Sequence, residues 1–324
     1  MLVGFIDVDG HNFPNIPLMK LAQWHKQQGD TVQWYINDGT WYDVVYASKI
    51  FSFTKDYEEP INATKIVKGG SGYCITLVDG VEVYDKSKDT TLPYEIEHIY
   101  PYYELYGITD TAYGRLTLGC PRGCSFCHTG VKDGLKSHKV ANLNEFWNDQ
   151  KNIVLLDQNI LACKDWKELL QQLIDSKAYV SFDGGLDIRL MTEEKAQMLK
   201  QIKSKMLHFA WDRYEDKDVI VPKFKMFKEI TQFRERKLIV YVLVNYNTTI
   251  SQDLERIMTL KRLGYWAYVM VYDKANLPRG DVHKRLQRWV NNRFVYSKCD
   301  TFYDYYDYMG YDKTELYKMD VQSA

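Results

Sequence analysis

The second half of this chain alternates short apolar runs with amphipathic segments, and this alternation restricts the fold more than any other feature. Candidate strands begin about every 30 residues and are separated by segments with helix signals. They span Gly114 to Leu118, Ile153 to Leu156, Tyr179 to Phe182, Met206 to Ala210, Leu238 to Val244 and Ala267 to Tyr272. Repeated strand–helix units form a full or partial barrel, with functional side chains at the carboxyl ends of the strands.

The first hundred residues predict a second, smaller α/β unit. The apolar run from Leu2 to Asp9 is typical of a buried parallel strand, and apolar residues recur at helical spacing from Ile16 to a stop at Gly29. Further strands are predicted at Thr31 to Tyr35 and at Tyr42 to Tyr46. We therefore expect an α/β protein in three parts: a small doubly wound Rossmann-like domain (1–105), a partial (β/α)6 barrel (106–275) and a helical, Tyr-rich extension (276–324).

Composition and charge are those of an ordinary globular protein. The 324 residues include 42 basic and 43 acidic side chains, which give a formal net charge of -1. So small a net charge provides no overall attraction to nucleic acid or to an anionic membrane. The apolar run Leu238–Val244 is far shorter than the roughly 18 residues that a membrane-spanning helix needs, and residues 1–10 lack the features of a signal peptide. We therefore expect a cytoplasmic protein that makes no membrane contact.

Three of the six cysteines lie together in Cys120-Pro-Arg-Gly-Cys124-Ser-Phe-Cys127. Clustered thiols indicate metal or redox chemistry, whereas a disulfide framework is typical of short secreted chains. Three thiolates on one tight loop can hold three irons of a 4Fe-4S cluster and leave the fourth iron open to another ligand. The alternative is a Cys3His zinc site with His128, but that histidine adjoins Cys127 and cannot easily turn back onto the same metal.

The run Leu116-Thr-Leu-Gly-Cys-Pro-Arg-Gly-Cys-Ser-Phe-Cys127 and the strand rhythm after it resemble the cluster loop and partial barrel of the radical S-adenosylmethionine (SAM) superfamily. The resemblance implies that Cys120, Cys124 and Cys127 bind the 4Fe-4S cluster, that SAM chelates its fourth iron, and that Phe126 lies beside these cofactors. It also implies an enzyme that reductively cleaves SAM to a 5′-deoxyadenosyl radical, which acts on a substrate that the sequence does not identify. A reductant such as flavodoxin or ferredoxin would supply the electron.

Polar residues after the candidate strands are the expected SAM ligands. Asp157-Gln158-Asn159 follows the second strand, where many relatives carry Gly-Gly-Glu for the SAM ammonium, so that role passes here to Asp157 or Gln158. After the third strand, Asp187 is expected at the ribose hydroxyls and Arg189 at the SAM carboxylate, and the alternative is a surface ion pair in an ordinary turn. The complete predicted cofactor-binding set is Phe126, Asp157, Gln158, Asn159, Asp183, Asp187, Arg189 and Asn245.

The N-terminal domain resembles the cobalamin-binding domain that precedes many radical SAM methyltransferases. Asp9-Gly10-His11 stands where that family has D-x-H with its cobalt-binding histidine, Ser48-Lys49-Ile50 where it has S-x-L, and Gly69-Gly70 where it has a late glycine pair. Pro14 replaces the glycine of the first motif, and the intervals between motifs are shorter than in the family. We therefore interpret residues 1–105 as a degenerate cobalamin-binding-like domain and expect no bound cobalamin.

Three alternatives stay open at this point. The chain is alternatively a radical SAM methyltransferase, or a non-catalytic scaffold protein in which a metal only holds the fold. The third alternative concerns the substrate, since Lys284, Arg285, Arg288 and Arg293 with Trp289 form a basic segment able to contact nucleic acid. The same pattern is typical of a solvated amphipathic helix.

Overall fold

The computed structural model describes residues 1–78 and 81–318. These residues form an α/β fold with parallel sheets, which confirms the predicted fold class. The chain divides into two compact units, Met1–Tyr179 and Val180–Ala324. The domain bounds 1–105, 106–275 and 276–324 stay predictions, and residues 319–324 of the extension lie outside the described residues.

The first unit contains the cysteine loop and all elements up to the start of the eleventh strand. Its strands are β1 (Leu2–Asp7), β2 (Thr31–Trp34), β3 (Tyr42–Ser48), β4 (Ala63–Gly69), β5 (Ile75–Val78), β6 (Val81–Tyr84), β7 (Thr111–Gly114), β8 (Thr117–Leu118), β9 (His138–Lys139) and β10 (Asn152–Leu155). Its α-helices are α1 (Ile16–Gln27), α2 (Ser71–Cys74), α3 (Tyr94–Glu97), α4 (Thr129–Lys132) and α5 (Trp166–Ser176).

A parallel sheet in the order β2-β1-β3-β4 forms the N-terminal part of this unit. Alternate residues of β1 face opposite sides, so that Phe5 packs with Leu18 of α1 while Ile6 packs with Tyr42 and Val45 on the other face. Loops, rather than helices, connect β2 to β3 and β3 to β4. The sequence did not predict β4, because this strand is largely solvent-exposed and lacks the apolar alternation of a half-buried strand.

The larger sheet has the strand order β14-β13-β12-β11-β10-β7, and the first unit contributes β7 and β10 in parallel register. The predicted first barrel strand, Gly114 to Leu118, is wrong in its bounds. The strand ends at Gly114, where an added Cβ would lie 2.4 Å from the ring of Phe146, and the chain then turns. Thr117 and Leu118 form β8, which pairs with β9 in antiparallel register.

The second unit begins at Val180, the second residue of β11 (Tyr179–Leu186). Its other strands are β12 (Ser204–Ala210), β13 (Leu238–Val244) and β14 (Trp266–Val271). Its α-helices are α6 (Glu193–Gln201), α7 (Lys217–Thr231), α8 (Ile250–Arg262), α9 (Val282–Asn291), α10 (Arg293–Lys298), α11 (Phe302–Met309) and α12 (Thr314–Lys318). Neighbouring strands from β11 to β14 pair in parallel. In the part of the chain that the structure describes, no helix is long and apolar enough to cross a membrane.

Helix starts in this unit follow side-chain caps. Thr192 caps α6 by accepting the N–H of Lys195 at 3.3 Å, as its sequence position predicts. Helix α8 begins at Ile250, because Thr249 is its cap and forms a reciprocal capping box with Gln252.

On each end strand of the larger sheet, one polar side chain contacts both the backbone N–H and the carbonyl of a single strand residue. On β7, the Tyr103 hydroxyl accepts the N–H of Tyr113 at 3.0 Å and faces its carbonyl at 3.1 Å. On β14, the Asn291 side chain accepts the N–H of Val269 at 2.8 Å and donates to its carbonyl at 3.0 Å. The second contact fixes the C-terminal end of α9 along β14.

Candidate cofactor site at the cysteine loop

The cysteine loop begins with a left-handed turn. Gly119 has φ +84°, and a Cβ at this position would lie 2.3 Å from the carbonyl oxygen of Lys136. Only glycine satisfies both the backbone conformation and the close approach. The N–H of Cys120 then donates to the Gly134 carbonyl at 3.1 Å, which fixes the loop against the turn before β9.

Three cysteine thiols lie on this loop. Cys120 and Cys124 are partly buried and Cys127 is exposed. The N–H of Cys127 donates to the carbonyl of Cys124 at 3.0 Å, so the last two cysteines share one tight turn. The loop therefore carries two partly buried thiols and one that solvent reaches.

Asp157 connects the end of β10 to the segment that enters the loop. Its side chain is 3% exposed and accepts hydrogen bonds from the N–H of Leu116 at 3.1 Å and from both the N–H and the hydroxyl of Thr117 at 2.6 Å. Burial raises the pKa of Asp157 to about 6, although these hydrogen bonds favour the charged form. The carboxylate thus acts as an anchor for the backbone ahead of the cysteines.

The next two residues hold the loop itself. Gln158 accepts the N–H of Gly119 at 2.8 Å and donates to Asp133. The side-chain amide of Asn159 donates to Sγ of Cys120 at 3.5 Å. All three residues of the predicted SAM-binding triplet therefore contact the cysteine loop or the segment leading into it. A SAM-binding role for Asp157, Gln158 and Asn159 stays a prediction.

The donor set fits an iron–sulfur cluster. Three thiols lie within one loop, and Cys120 already accepts a hydrogen bond from Asn159, while Sγ of Cys127 lies 3.3 Å from the hydroxyl of Thr129. Such polar hydrogens stabilise the negative charge of cluster thiolates. His128, the fourth ligand of the zinc alternative, faces a Glu82 carboxylate oxygen at 3.3 Å. Among residues 1–78 and 81–318, no three His, Cys, Asp or Glu side chains stand close enough together to hold a single metal ion.

In the second unit, Asp183, Gly184 and Gly185 lie within β11 rather than after it. The third barrel strand therefore extends beyond its predicted end at Phe182. The register with β12 shifts between Phe182 and Leu186, so the glycines mark an irregular stretch inside the strand. Asp183 accepts a hydrogen bond from Ser181, and its carboxylate lies 3.6 Å from Nδ1 of His208.

Asp187 and Arg189, two predicted SAM ligands, form an ion pair with each other. Nε of Arg189 lies 2.8 Å from Asp187, and Nη1 lies 2.8 Å from a carboxylate oxygen of Asp216. An ion pair at the surface was the alternative to cofactor binding, but the observed pair is partly buried. Asn245, the remaining predicted ligand of this unit, has φ +63° and donates to the Tyr272 carbonyl at 3.0 Å. Roles of these residues at SAM stay predictions.

A buried charge cluster in the second unit was missed by sequence reasoning. Arg256 is fully buried, pairs with Asp253, and donates to the carbonyls of Trp211 and Leu243. It thereby joins the carboxyl ends of β12 and β13. Burial raises the pKa of the adjacent Asp212 to about 6. The available signal was a charged residue, Asp253, on the apolar stripe of α8.

The motif residues of the N-terminal sheet meet at the carboxyl ends of β1, β3 and β4. The Asp9 carboxylate accepts the N–H of Phe51 at 3.3 Å, and a Cβ at Gly70 would lie 2.3 Å from the Lys49 carbonyl oxygen. His11 is exposed, and its ring stacks on Trp34 with centroids 4.0 Å apart. The three sequence motifs therefore share one edge of one sheet, with the imidazole accessible.

This fold defines a class: α/β proteins with two parallel sheets and a cysteine loop after the first strand of the larger one. No protein-family model and no curated protein matches the sequence. The fold is similar to that of the radical SAM methyltransferase TsrM from Kitasatospora setae, solved with cobalamin and a [4Fe-4S] cluster bound. The match has a TM-score of 0.56 and 10% sequence identity, and it covers 83% of this chain and 74% of that one. At that identity the likeness shows the fold alone.

The comparison bears on one cofactor prediction. Cobalamin was expected to be absent, yet the similar structure was solved with cobalamin bound. The expected absence therefore has no support, and a degenerate character of the N-terminal domain stays a prediction.

Proposed function

We propose that this chain is a radical SAM enzyme that binds a 4Fe-4S cluster through Cys120, Cys124 and Cys127. The observation that carries the proposal is the cysteine loop, which the side chains after β10 hold in place on a fold similar to that of a radical SAM enzyme. When bound, the cluster supplies the electron that cleaves SAM to methionine and a 5′-deoxyadenosyl radical, which acts on an unidentified substrate.

The residues around the loop orient and shield the thiols. Asp157 fixes Thr117, Gln158 fixes Gly119, and Asn159 donates to Cys120. Because three neighbouring residues each bind a different point of the loop, the sulfurs are pre-positioned before any cluster arrives. We assign these residues a positioning role in addition to the SAM contacts predicted for them.

The remaining assignments are part of the same proposal. SAM binding is assigned to Phe126, Asp183, Asp187, Arg189 and Asn245, with a flavodoxin- or ferredoxin-like reductant as electron donor and a cytoplasmic location. For Arg189 the proposal requires that SAM compete with Asp187 and Asp216 for the guanidinium.

Anaerobic reconstitution with iron and sulfide tests the proposal. The reduced protein should give the electron paramagnetic resonance signal of a 4Fe-4S cluster, which SAM should change, and dithionite with SAM should yield 5′-deoxyadenosine. Cys124→Ala should lose both cluster and product. Cys163→Ala, which removes a buried thiol outside the loop, should keep both. An intact cluster that cleaves no SAM would instead favour the non-catalytic scaffold.

A second candidate is cobalamin-dependent methyl transfer. It is favoured by the exposed His11 at the carboxyl end of β1 and by the similarity to a methyltransferase structure that contains cobalamin. Incubation with hydroxocobalamin followed by desalting should then leave a cobalamin absorbance spectrum, which His11→Ala should shift. The product from SAM should be S-adenosylhomocysteine. Protein that retains no cobalamin and forms only 5′-deoxyadenosine would exclude this candidate.

A further inference from the structure

A groove of the second unit is lined by positive charge. Its volume is about 1100 Å³, and it runs from the exposed side of β14 across α9 to the start of α10. The groove lining contains no Asp or Glu, and its positive side chains are Lys274, Arg279, Lys284, Arg285, Arg288 and Arg293. The whole chain has a net charge of only -1, so the excess of positive charge is a property of this groove and not of the protein as a whole.

Most of these charges are not neutralised by neighbours. Within residues 1–78 and 81–318, Lys274, Arg279, Arg288 and Arg293 have no carboxylate oxygen within the 4.0 Å of an ion pair. Unpaired cations that line a concave surface add their potentials there, and the surface attracts polyanions.

Part of the lining is held in place. The Arg293 guanidinium lies 5.0 Å from the ring centroid of Trp266, and that of Arg285 lies 4.5 Å from the ring of Tyr311. Gln287 donates to the Val269 carbonyl at 3.0 Å and fixes α9 against β14. Cations that are already oriented lose less side-chain entropy when a ligand binds.

Aromatic rings stand among these cations. Phe294 is 86% exposed and Tyr268 is 43% exposed, and both line the groove. Trp289, the aromatic residue that the sequence suggested for this role, is instead buried and stacks on Phe302 with centroids 5.3 Å apart. An exposed ring beside phosphate-binding cations is the arrangement that stacks unpaired bases.

We propose that this groove binds single-stranded nucleic acid, with phosphates at Arg288 and Arg293 and a base on Phe294. The concave form suits a strand better than the flat surface of an anionic membrane, and the exposed rings give bases a contact that a simple anion does not use. The shared chemistry of RNA and DNA strands is the phosphodiester backbone, so both are included in the test. The proposal does not depend on SAM cleavage.

Fluorescence anisotropy of the full chain with labelled U20 and dT20 tests the proposal. With about five phosphates neutralised, binding should weaken about 100-fold when salt rises fourfold, because each phosphate contributes a slope of about -0.7. The double variant Arg288→Glu/Arg293→Glu should weaken binding at least tenfold. Phe294→Ala should weaken binding about tenfold with an unchanged salt slope, since it removes stacking and no charge.

The matched control is Lys200→Glu/Lys225→Glu, which makes the same charge change on exposed positions of α6 and α7. It should bind both oligonucleotides as the unmodified chain does. A difference between U20 and dT20 identifies which strand is the ligand. Three results would overturn the proposal: no binding of either strand at low salt, equal losses in the groove and control variants, or binding only to phosphatidylserine vesicles. Because binding is read without SAM or turnover, these results leave the proposed enzymatic function untouched.

Discussion

The carboxylate of Asp157 accepts two hydrogen bonds from Thr117, one from the backbone N–H and one from the hydroxyl, both at 2.6 Å. The contact joins residues 40 positions apart, at the end of one strand and the entrance of the cysteine loop. A carboxylate expected at a cofactor thus already has a structural task.

Replacing this carboxylate should loosen the loop. In Asp157→Asn an amide nitrogen would replace the oxygen that lies 3.2 Å from the N–H of Leu116, so that N–H would keep only its bond to the other oxygen. The remaining hydrogen bonds would also lose their charged acceptor, at a total cost of about 1–3 kcal/mol. The variant should fold but retain less iron than the unmodified protein after anaerobic reconstitution and desalting. Asp175→Asn, at an exposed position of α5, is the control. Equal iron contents in the two variants would refute the anchoring role.

Two glycines with similar backbone conformations should tolerate alanine differently. Gly119 and Gly134 have φ +84° and +90°, so both substitutions carry a left-handed penalty of about 1–2 kcal/mol. Only at Gly119 does the new Cβ meet backbone, 2.3 Å from the Lys136 carbonyl oxygen, whereas nothing lies within 4 Å at Gly134. Gly119→Ala should therefore lose the reconstituted cluster while Gly134→Ala keeps most of it. Iron analysis and thermal unfolding of both variants measure the difference, and parallel behaviour would contradict it.

The stability of the apoprotein should depend on pH through Asp212. Its pKa is raised from 3.8 to about 6 by burial, so the folded state binds more protons than the unfolded state between these values. Its stabilising contribution is therefore present below about pH 4 and is lost as the pH rises through about 6. Relative to Asp212→Asn, the free energy of unfolding of the unmodified chain should fall by about 2 kcal/mol across this pH interval. This is less than the full pKa shift implies, because the carboxyl keeps some solvent contact.

Urea unfolding of both proteins at about pH 4, 5, 6 and 7 measures this difference. A constant difference in the free energy of unfolding across that series would show that Asp212 titrates alike in both states.

The buried pair of Arg256 and Asp253 should be costly to break from one side. Arg256→Met leaves the Asp253 carboxylate without its cation and should lower the free energy of unfolding by about 3–5 kcal/mol. The double variant Arg256→Met/Asp253→Leu removes both charges and should recover a large part of that loss. Urea unfolding measures both values, and a double variant less stable than Arg256→Met would show that the carboxylate is not the source of the cost.

Elements with a regular apolar pattern were predictable from sequence. Strand β13 has the predicted bounds, Leu238–Val244, because every position is apolar and the run is short. The bounds of helix α7 were not predictable, since Pro222 and several lysines interrupt its apolar stripe, yet Ile220, Phe224 and Phe227 bury their side chains. Tertiary packing of these side chains stabilises a helix that the local sequence pattern does not predict clearly.

At the candidate site, too, some features were predictable from the sequence and others were not. The position of Asp157-Gln158-Asn159 at a strand end was predicted correctly, because the strand rhythm locates strand ends. Their contacts with Thr117, Gly119 and Cys120 were not predictable, because they depend on a turn after β7 that brings the loop back. The identity of the cluster ligands stays a prediction from the cysteine spacing.

The side chains of Tyr103 and Asn291 have a consequence for the protein in concentrated solution. The end strands of an open sheet can serve as templates on which another chain adds a strand and begins an aggregate. On β7 and β14, the backbone N–H and carbonyl of one residue, Tyr113 or Val269, already contact a polar side chain of the same molecule. A second copy must displace these contacts before it can extend the sheet, so the larger sheet opposes self-association at both of its edges.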